Sequence, residues 1–348
     1  MNAFKIDRNE LFGTLQKLKP GLASKGIVEQ STHFMFLGDD VATFSDQIAI
    51  IHPFEIGKDA DERVSFSVKG DEFYKIISGT EAGELNFTLE DDQLTITSES
   101  TSAGMPTLLD DKDKVEKLVN NLKKEMNEWA ELPEDFIQGL YLCMFSAAKD
   151  LSMGTLSCIY VKEENIFSSD SIRASWAVIS GEMPEFLIPV KDVQELVKFT
   201  NLTHYCESDN WIHFKTADDV TFSAKKILGT FKNLRKRFNI QGTPIELPSE
   251  LAETLNSITF LSDGDVDMNK TISIKIDKNK IICRAEKQTG WIEKKLDFKY
   301  KGAAIQFLVN PIFLAQVLSK TTSMILSDTC ALFQSDGFSH IIMLPLED

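Results

Sequence analysis

The chain has 348 residues, 53 Asp and Glu against 37 Lys and Arg, and a formal net charge of -16 at pH 7. At roughly 100 to 200 residues per domain this makes two or three domains, and 43% hydrophobic residues are enough to fill their cores. No run approaches the roughly 18 apolar residues of a membrane span, MNAFKIDRNELF does not open like a secretory signal, and the acidic total argues against indiscriminate coating of nucleic acid or lipid, though not against a local basic face.

In chain order, FKIDRNELFGTLQKL from Phe4 reads as a strand running into a helix, and VSFSVKGDEFYKII repeats that order from Val64. HFMFLG, VATFSD and IAIIHPF lie between them as strands, and ELNFTLE and QLTITSES follow. Val115, Leu118, Val119, Leu122 and Met126 then recur at helical spacing amid Lys and Glu. This predicts an inserted amphipathic helix or helical linker near 112–130, with a strand as the alternative. A helix after Pro133 carries Phe136, Ile137, Leu140, Tyr141 and Met144. LSCIYVK and RASWAVIS are strands, and FLIPVKDVQELVKF places a strand at Phe186 to Ile188 before a helix from about Val190 to Phe199. WIHFKT and DVTFSAK follow, and IELPSELAETLNSI starts again from Ile245, with Leu251, Leu255 and Ile258 as the apolar stripe. After TISIKID, KIICRAE and KKLDFKY, the tail opens with a strand from Ile305 to Val309. Asn310 caps, Pro311 takes the first helical position, and Phe313, Leu314, Val317 and Leu318 form the stripe. Three short strands over 323–326, 330–334 and 340–344 end the chain.

Helix starts therefore fall near residues 9, 70, 133, 190, 248 and 310, about 60 apart, and about 120 apart when taken in pairs. The expected fold is α+β: three similar domains over 1–120, 121–240 and 241–348, each with two helices packed on antiparallel sheets.

The usual signs of chemistry are missing. There is no Gly-rich phosphate loop, HExxH, GxSxG or EF-hand pattern. Cys143, Cys158, Cys206, Cys283 and Cys330 are too scattered for a metal or redox pair and read as reduced core residues of a cytosolic protein. His33, His52, His204, His213 and His340 read as packed or surface residues, and Asp263, Asp265 and Asp267 as an exposed turn. The expectation is a protein without catalytic residues, metal or cofactor.

Phe307 to Leu318 (FLVNPIFLAQVL), MILSD at Met324 to Asp328, and IIMLPL at Ile341 to Leu346 together resemble the bacterial-type DNA polymerase sliding clamp, the beta subunit of the replicative polymerase, in a divergent form, bacterial or phage-encoded. SSDSIRASWAV, Ser168 to Val178, stands where that family has a threonine-aspartate-glycine-histidine-arginine turn entering a strand. The resemblance covers the chain in order and length, and is weakest in the first third. It implies a DNA clamp fold and a cytoplasmic, head-to-tail homodimeric ring, a processivity factor that encircles duplex DNA without reading sequence. Its other partners would be the replicative DNA polymerase, the clamp loader and further proteins carrying a clamp-binding motif. Helix geometry agrees with a dimer. Helices packed about 8–10 Å apart leave an opening of about 9 Å in a ring of six and about 28 Å in a ring of twelve, and only the latter admits a duplex about 20 Å across.

Residue by residue, the resemblance places a partner-peptide groove at Leu156, Ser169, Ser171, Ile172, Ala174, Pro244, Ile245, Leu344, Pro345 and Leu346. Ser171 stands for the usual glycine and Ile172 for the usual histidine. Glu347 and Asp348 end the chain in place of an arginine and an apolar residue, which implies an acidic lip that favours basic-flanked peptides. Candidates for a DNA-facing wall are Lys17, Lys25, Lys149, Lys191, Lys198, Arg235 and Arg237, with Lys191 and Lys198 seven apart on one expected helix. Sparse basic residues in the fifth and sixth helices support an alternative, a ring-shaped structural or assembly protein that reuses the fold without holding DNA.

Overall fold

The computed structural model describes residues 2–23, 29–56, 64–108 and 112–345, without the side chains of 29, 112–115 and 118. Lys25, Leu346, Glu347 and Asp348 lie outside the described residues. The first stretch holds β1 (Asn2–Asp7), α1 (Arg8–Leu18), β2 (His33–Leu37), β3 (Asp40–Phe44), β4 (Ile48–Pro53), β5 (Ser65–Lys69), α2 (Gly70–Gly79), β6 (Glu84–Glu90), β7 (Gln93–Thr97) and β8 (Ser102–Pro106). The insertion is a helix, α3 (Lys112–Glu125). Next come β9 (Ala130–Glu131), α4 (Phe136–Cys143), β10 (Cys158–Ser169), β11 (Arg173–Pro189), α5 (Val190–Leu196), β12 (Leu202–Glu207), β13 (Trp211–Thr216) and β14 (Thr221–Lys225). The last stretch holds β15 (Thr243–Glu246), α6 (Leu251–Ile258), β16 (Ile272–Asp277), β17 (Lys280–Lys287), β18 (Gly290–Asp297), β19 (Ile305–Val309), α7 (Pro311–Leu318), β20 (Ser323–Leu326), β21 (Cys330–Ser335) and β22 (Phe338–Met343).

Local chemistry explains where the helices begin. Asp7 accepts from the backbone N–H of Asn9 and Glu10, and Asn310 does the same for Ile312 and Phe313, with Pro311 behind it needing no donor. In α1 the residues at i, i+4 and i+7, Leu11, Leu15 and Leu18, are fully buried. α5 is shorter than its apolar pattern: it stops at Leu196, and the Phe199 N–H reaches back to the Leu196 carbonyl in a closing turn. Lys198 therefore lies beyond the helix, and its spacing from Lys191 does not set the two on one helical face.

Two compact units emerge, Met1–Glu134 with Gln194–Lys226, and Asp135–Val193 with Ile227–Asp348. The first contains a four-stranded sheet, β1-β6-β7-β8, and an eight-stranded sheet, β5-β2-β3-β4-β14-β13-β12-β9. α3 buries Val119 and Leu122 against Met35, Ala42, Phe44, Ala49 and Ile51 of the larger sheet, which is why a segment so rich in Lys and Glu is helical. The second unit contains a six-stranded sheet, β10-β11-β22-β21-β20-β15, and a four-stranded sheet, β18-β17-β16-β19. Here α6 and α7 pack together, and Leu251, Leu255, Ile258, Phe313, Leu314 and Val317 join Ile274, Cys283, Phe333 and Ile342 in one core.

Neither unit coincides with a consecutive third of the chain, because strands from different thirds pair. β4 joins β14 with Ile51 opposite Thr221, and β11 joins β22 with Ser175 opposite His340. The five cysteines are all free and buried, and burial pushes the Cys283 thiol up to about 12.

Candidate functional site

The turn from β10 into β11 is held by its own side chains. The Asp170 carboxylate accepts the N–H groups of Ile172 at 3.1 Å and Arg173 at 3.0 Å, and Ser169 Oγ accepts from Ser171 N–H while donating to the Arg173 carbonyl. Asp170 also pairs with Arg173 Nε at 2.8 Å, with side chains only 4% and 5% exposed. The guanidinium of Arg173 sits 3.9 Å from the centre of the Phe313 ring and donates to Gln316 on α7. Burial lowers the Arg173 pKa, and the Asp170 charge opposes that shift.

Closing this turn forces Ser171 to φ +80°, a region that L-residues avoid and glycine enters freely. Ser171→Gly is therefore expected to raise stability by about 1 kcal/mol. The check is the urea midpoint at constant m-value. A lower midpoint means the Ser171 side chain contributes more than the strain costs.

Beside the turn opens a cavity of about 520 Å³. Leu156, Ser169, Ser171, Ile172 and Ala174 line it, with Arg173 between them. Ile341 and Met343 of β22, the strand paired with β11, continue that wall, and Met153 and Thr155 in a 3-10 segment (Leu151–Ser157) with Thr230, Phe231, Lys232, Leu234 and Arg237 complete the lining. Pro244, Ile245, Leu344 and Pro345 are not among the lining residues. Ile245 is buried in the core built around α6 and α7, Pro244 pairs with Ile325 at the far edge of the six-stranded sheet, and Leu344 packs on that same core. For Leu344 the reason is strand parity. Ile341 and Met343 share one face of β22, while Ile342 and Leu344 belong to the other, so a one-residue offset exchanges groove for core.

The segment 227–238 contributes what sequence reading missed. Phe231 stacks on Tyr160 with centroids 5.1 Å apart, and Phe238 lies 5.6 Å from Trp176, so two aromatic pegs fix the backbone over the sheet. Phe231 and Phe238, standing among cations in KKILGTFKNLRKRF, were the available signal. Arg237, expected on a DNA-facing wall, lines this cavity instead.

The other expected DNA contacts are dispersed. Lys17 on α1 pairs with Asp218 at 2.6 Å, an ion pair that, with hydrogen bonds from Asn201 and Thr216, holds the Asp218 carboxyl well below the usual range. Lys198 pairs with Glu195 at 2.6 Å. Lys149, Lys191 and Arg235 are exposed. α1, α2, α4, α5, α6 and α7 together carry four cations, Arg8, Lys17, Lys75 and Lys191, against six carboxylates, Glu10, Asp71, Glu72, Asp192, Glu195 and Glu253. Among the described residues no group of three or more His, Cys, Asp or Glu is placed to hold a metal ion. Asp267 pairs with Lys270 in an exposed turn. No helix of the described residues is long and apolar enough to cross a membrane.

No protein-family model and no curated protein sequence matches the chain. Solved structures do. The DNA polymerase III subunit beta of Pseudomonas aeruginosa superposes with a TM-score of 0.82 at 15% identity, over 99% of this chain and 100% of that one. The beta subunit of Thermotoga maritima gives 0.81 at 17% identity over the whole of both chains. The beta sliding clamp of C. crescentus gives 0.84 at 13% identity over 99% of each. With identities this low the likeness is one of fold: the chain has the α+β architecture of these beta subunits from end to end.

Proposed function

We propose that the chain is a DNA sliding clamp, a non-catalytic processivity factor that acts as a head-to-tail dimer around duplex DNA. The observation that carries this is an apolar cavity beside the β10–β11 turn, in a chain whose fold matches beta subunits over its full length. In this reading the six helices other than α3 fall in three pairs, one to each of three similar domains over 1–120, 121–240 and 241–348. The cavity receives a peptide with two or three adjacent apolar side chains from a replicative polymerase, a clamp loader or another partner. Unlike edges support the dimer. β8 and β18 each end a sheet with one side unpaired among the described residues, and joining the β8 of one protomer to the β18 of its partner would cover both. The species expected in sedimentation equilibrium at micromolar concentration is twice the 39.1 kDa chain. A strict monomer at low salt refutes the ring.

The charge balance of the helices favours the second reading, an assembly protein that uses the same fold without DNA. One experiment separates the two. The protein is loaded with a clamp loader on nicked circular DNA, and the circle is then cut. A clamp stays on the circle and slides off the linear form, because retention is topological and needs few phosphate contacts. Equal retention on both forms, or none on either, refutes it. For the cavity itself, Met343 is 44% exposed, so Met343→Asp places a charge on the wall without disturbing the core. It is expected to weaken an apolar peptide at least about tenfold while leaving the sedimenting mass unchanged.

A further inference from the structure

We infer that this cavity selects apolar peptides flanked by acidic residues, with Lys232 and Arg237 as the determinants. The inference rests on the peptide-binding reading above and adds the chemistry of the partner to it. Among the described residues that line it, three are cationic, Arg173, Lys232 and Arg237, and none is Asp or Glu. The charge of Arg173 is already matched by Asp170 in the buried turn. Lys232 and Arg237 are exposed and have no ion-pair partner among the described residues. Each adjoins an aromatic peg, Lys232 next to Phe231 and Arg237 next to Phe238, and both rings are buried. The backbone under the two cations is thus held before any partner arrives, which lowers the ordering cost of pairing them with a carboxylate.

The rest of the chain sharpens the effect. With a net charge of -16, the protein repels an acidic peptide at a distance, so attraction must come from these two side chains at contact range. This reverses the flank preference expected from Glu347 and Asp348.

The test is fluorescence anisotropy with labelled synthetic peptides that share one Leu-Leu pair. They differ only in flanks, which are Asp and Glu, Asn and Gln, or Lys. At about 50 mM salt the acidic form is expected to bind about tenfold tighter than the amide form, with the gap shrinking at about 500 mM. K232E/R237E is expected to abolish or invert that preference, read as the ratio of acidic-flanked to amide-flanked affinity so that a loss common to both peptides does not count. K232Q/R237Q should fall between. Equal binding of acidic and amide forms to the native chain, or tightest binding of the Lys-flanked form, overturns the inference. A separate peptide with Ala-Ala in place of Leu-Leu tests the underlying reading. If it binds as well as its parent, the cavity is not an apolar peptide site, whatever the charge preference.

Discussion

Arg173→Met is expected to cost the second unit about 3–5 kcal/mol, among the largest single losses available to this chain. The substitution strands the Asp170 carboxylate, 4% exposed, with no cation to face. It also removes the guanidinium over Phe313 and the hydrogen bond to Gln316. Because Asp170 ties down the N–H groups of Ile172 and Arg173, the loss reaches the cavity wall, and apolar peptide binding should fall with it. Adding Asp170→Asn should recover much of the stability, since the penalty lies in an unpaired buried charge more than in a missing attraction. Urea denaturation of the single and double variants measures both effects. A loss below about 1 kcal/mol for Arg173→Met would mean that water reaches Asp170 and that the pair is not a tether.

Mild acid is expected to weaken each unit through one buried histidine. His340 is fully buried: Nδ1 lies 2.8 Å from Ser175 Oγ, and Nε2 has no partner among the described residues. Ser175 continues through Ser146 to Ser168, a closed set of hydroxyls joining β22 to β11 and β10. Burial and then the nearby Arg173 charge hold His340 well below its ordinary pKa. In the other unit His213 lies between Ser223 and Ser208, and burial, followed by Lys226, pushes it down to about 4. Both are neutral when folded, whereas the unfolded chain takes up a proton near pH 6.5, so stability falls as pH drops below that value. At pH 5 the loss is about 2 kcal/mol for His213, continuing until about pH 4, and His340 adds a loss of the same sign as pH falls below about 6.5. Urea midpoints between pH 7.5 and 5 check this, with His340→Gln and His213→Gln each expected to remove its own share of the slope. A flat profile over that range would show that one or both side chains admit a proton when folded.

Much of the local structure was legible because its causes are local. The expected helix starts lie within about three residues of those observed, since a capping side chain, a proline at the first turn and an apolar stripe act within about two helical turns. α3 was open between helix and strand, and what settled it was the sheet face of Met35, Phe44 and Ala49 waiting for Val119 and Leu122. The left-handed Ser171 was visible as a serine standing where a resembling turn has glycine.

By itself, the sequence determined the α+β class, the spacing of the six recurring helices and the stretch of cavity lining from Ser169 to Ala174, because one short turn between β10 and β11 joins those residues. Only the tertiary structure decided which face of β22 completes the cavity, and that Arg237 belongs there while Ile245 and Leu344 belong to the core. It alone also showed β4 beside β14 and β11 beside β22, pairings that cross the thirds of the chain. The physical reason is that alternation names two faces without saying which is inside. When both faces of a strand are apolar, as in SHIIMLP, only the partners that cover each face distinguish them, and those partners come from distant parts of the chain.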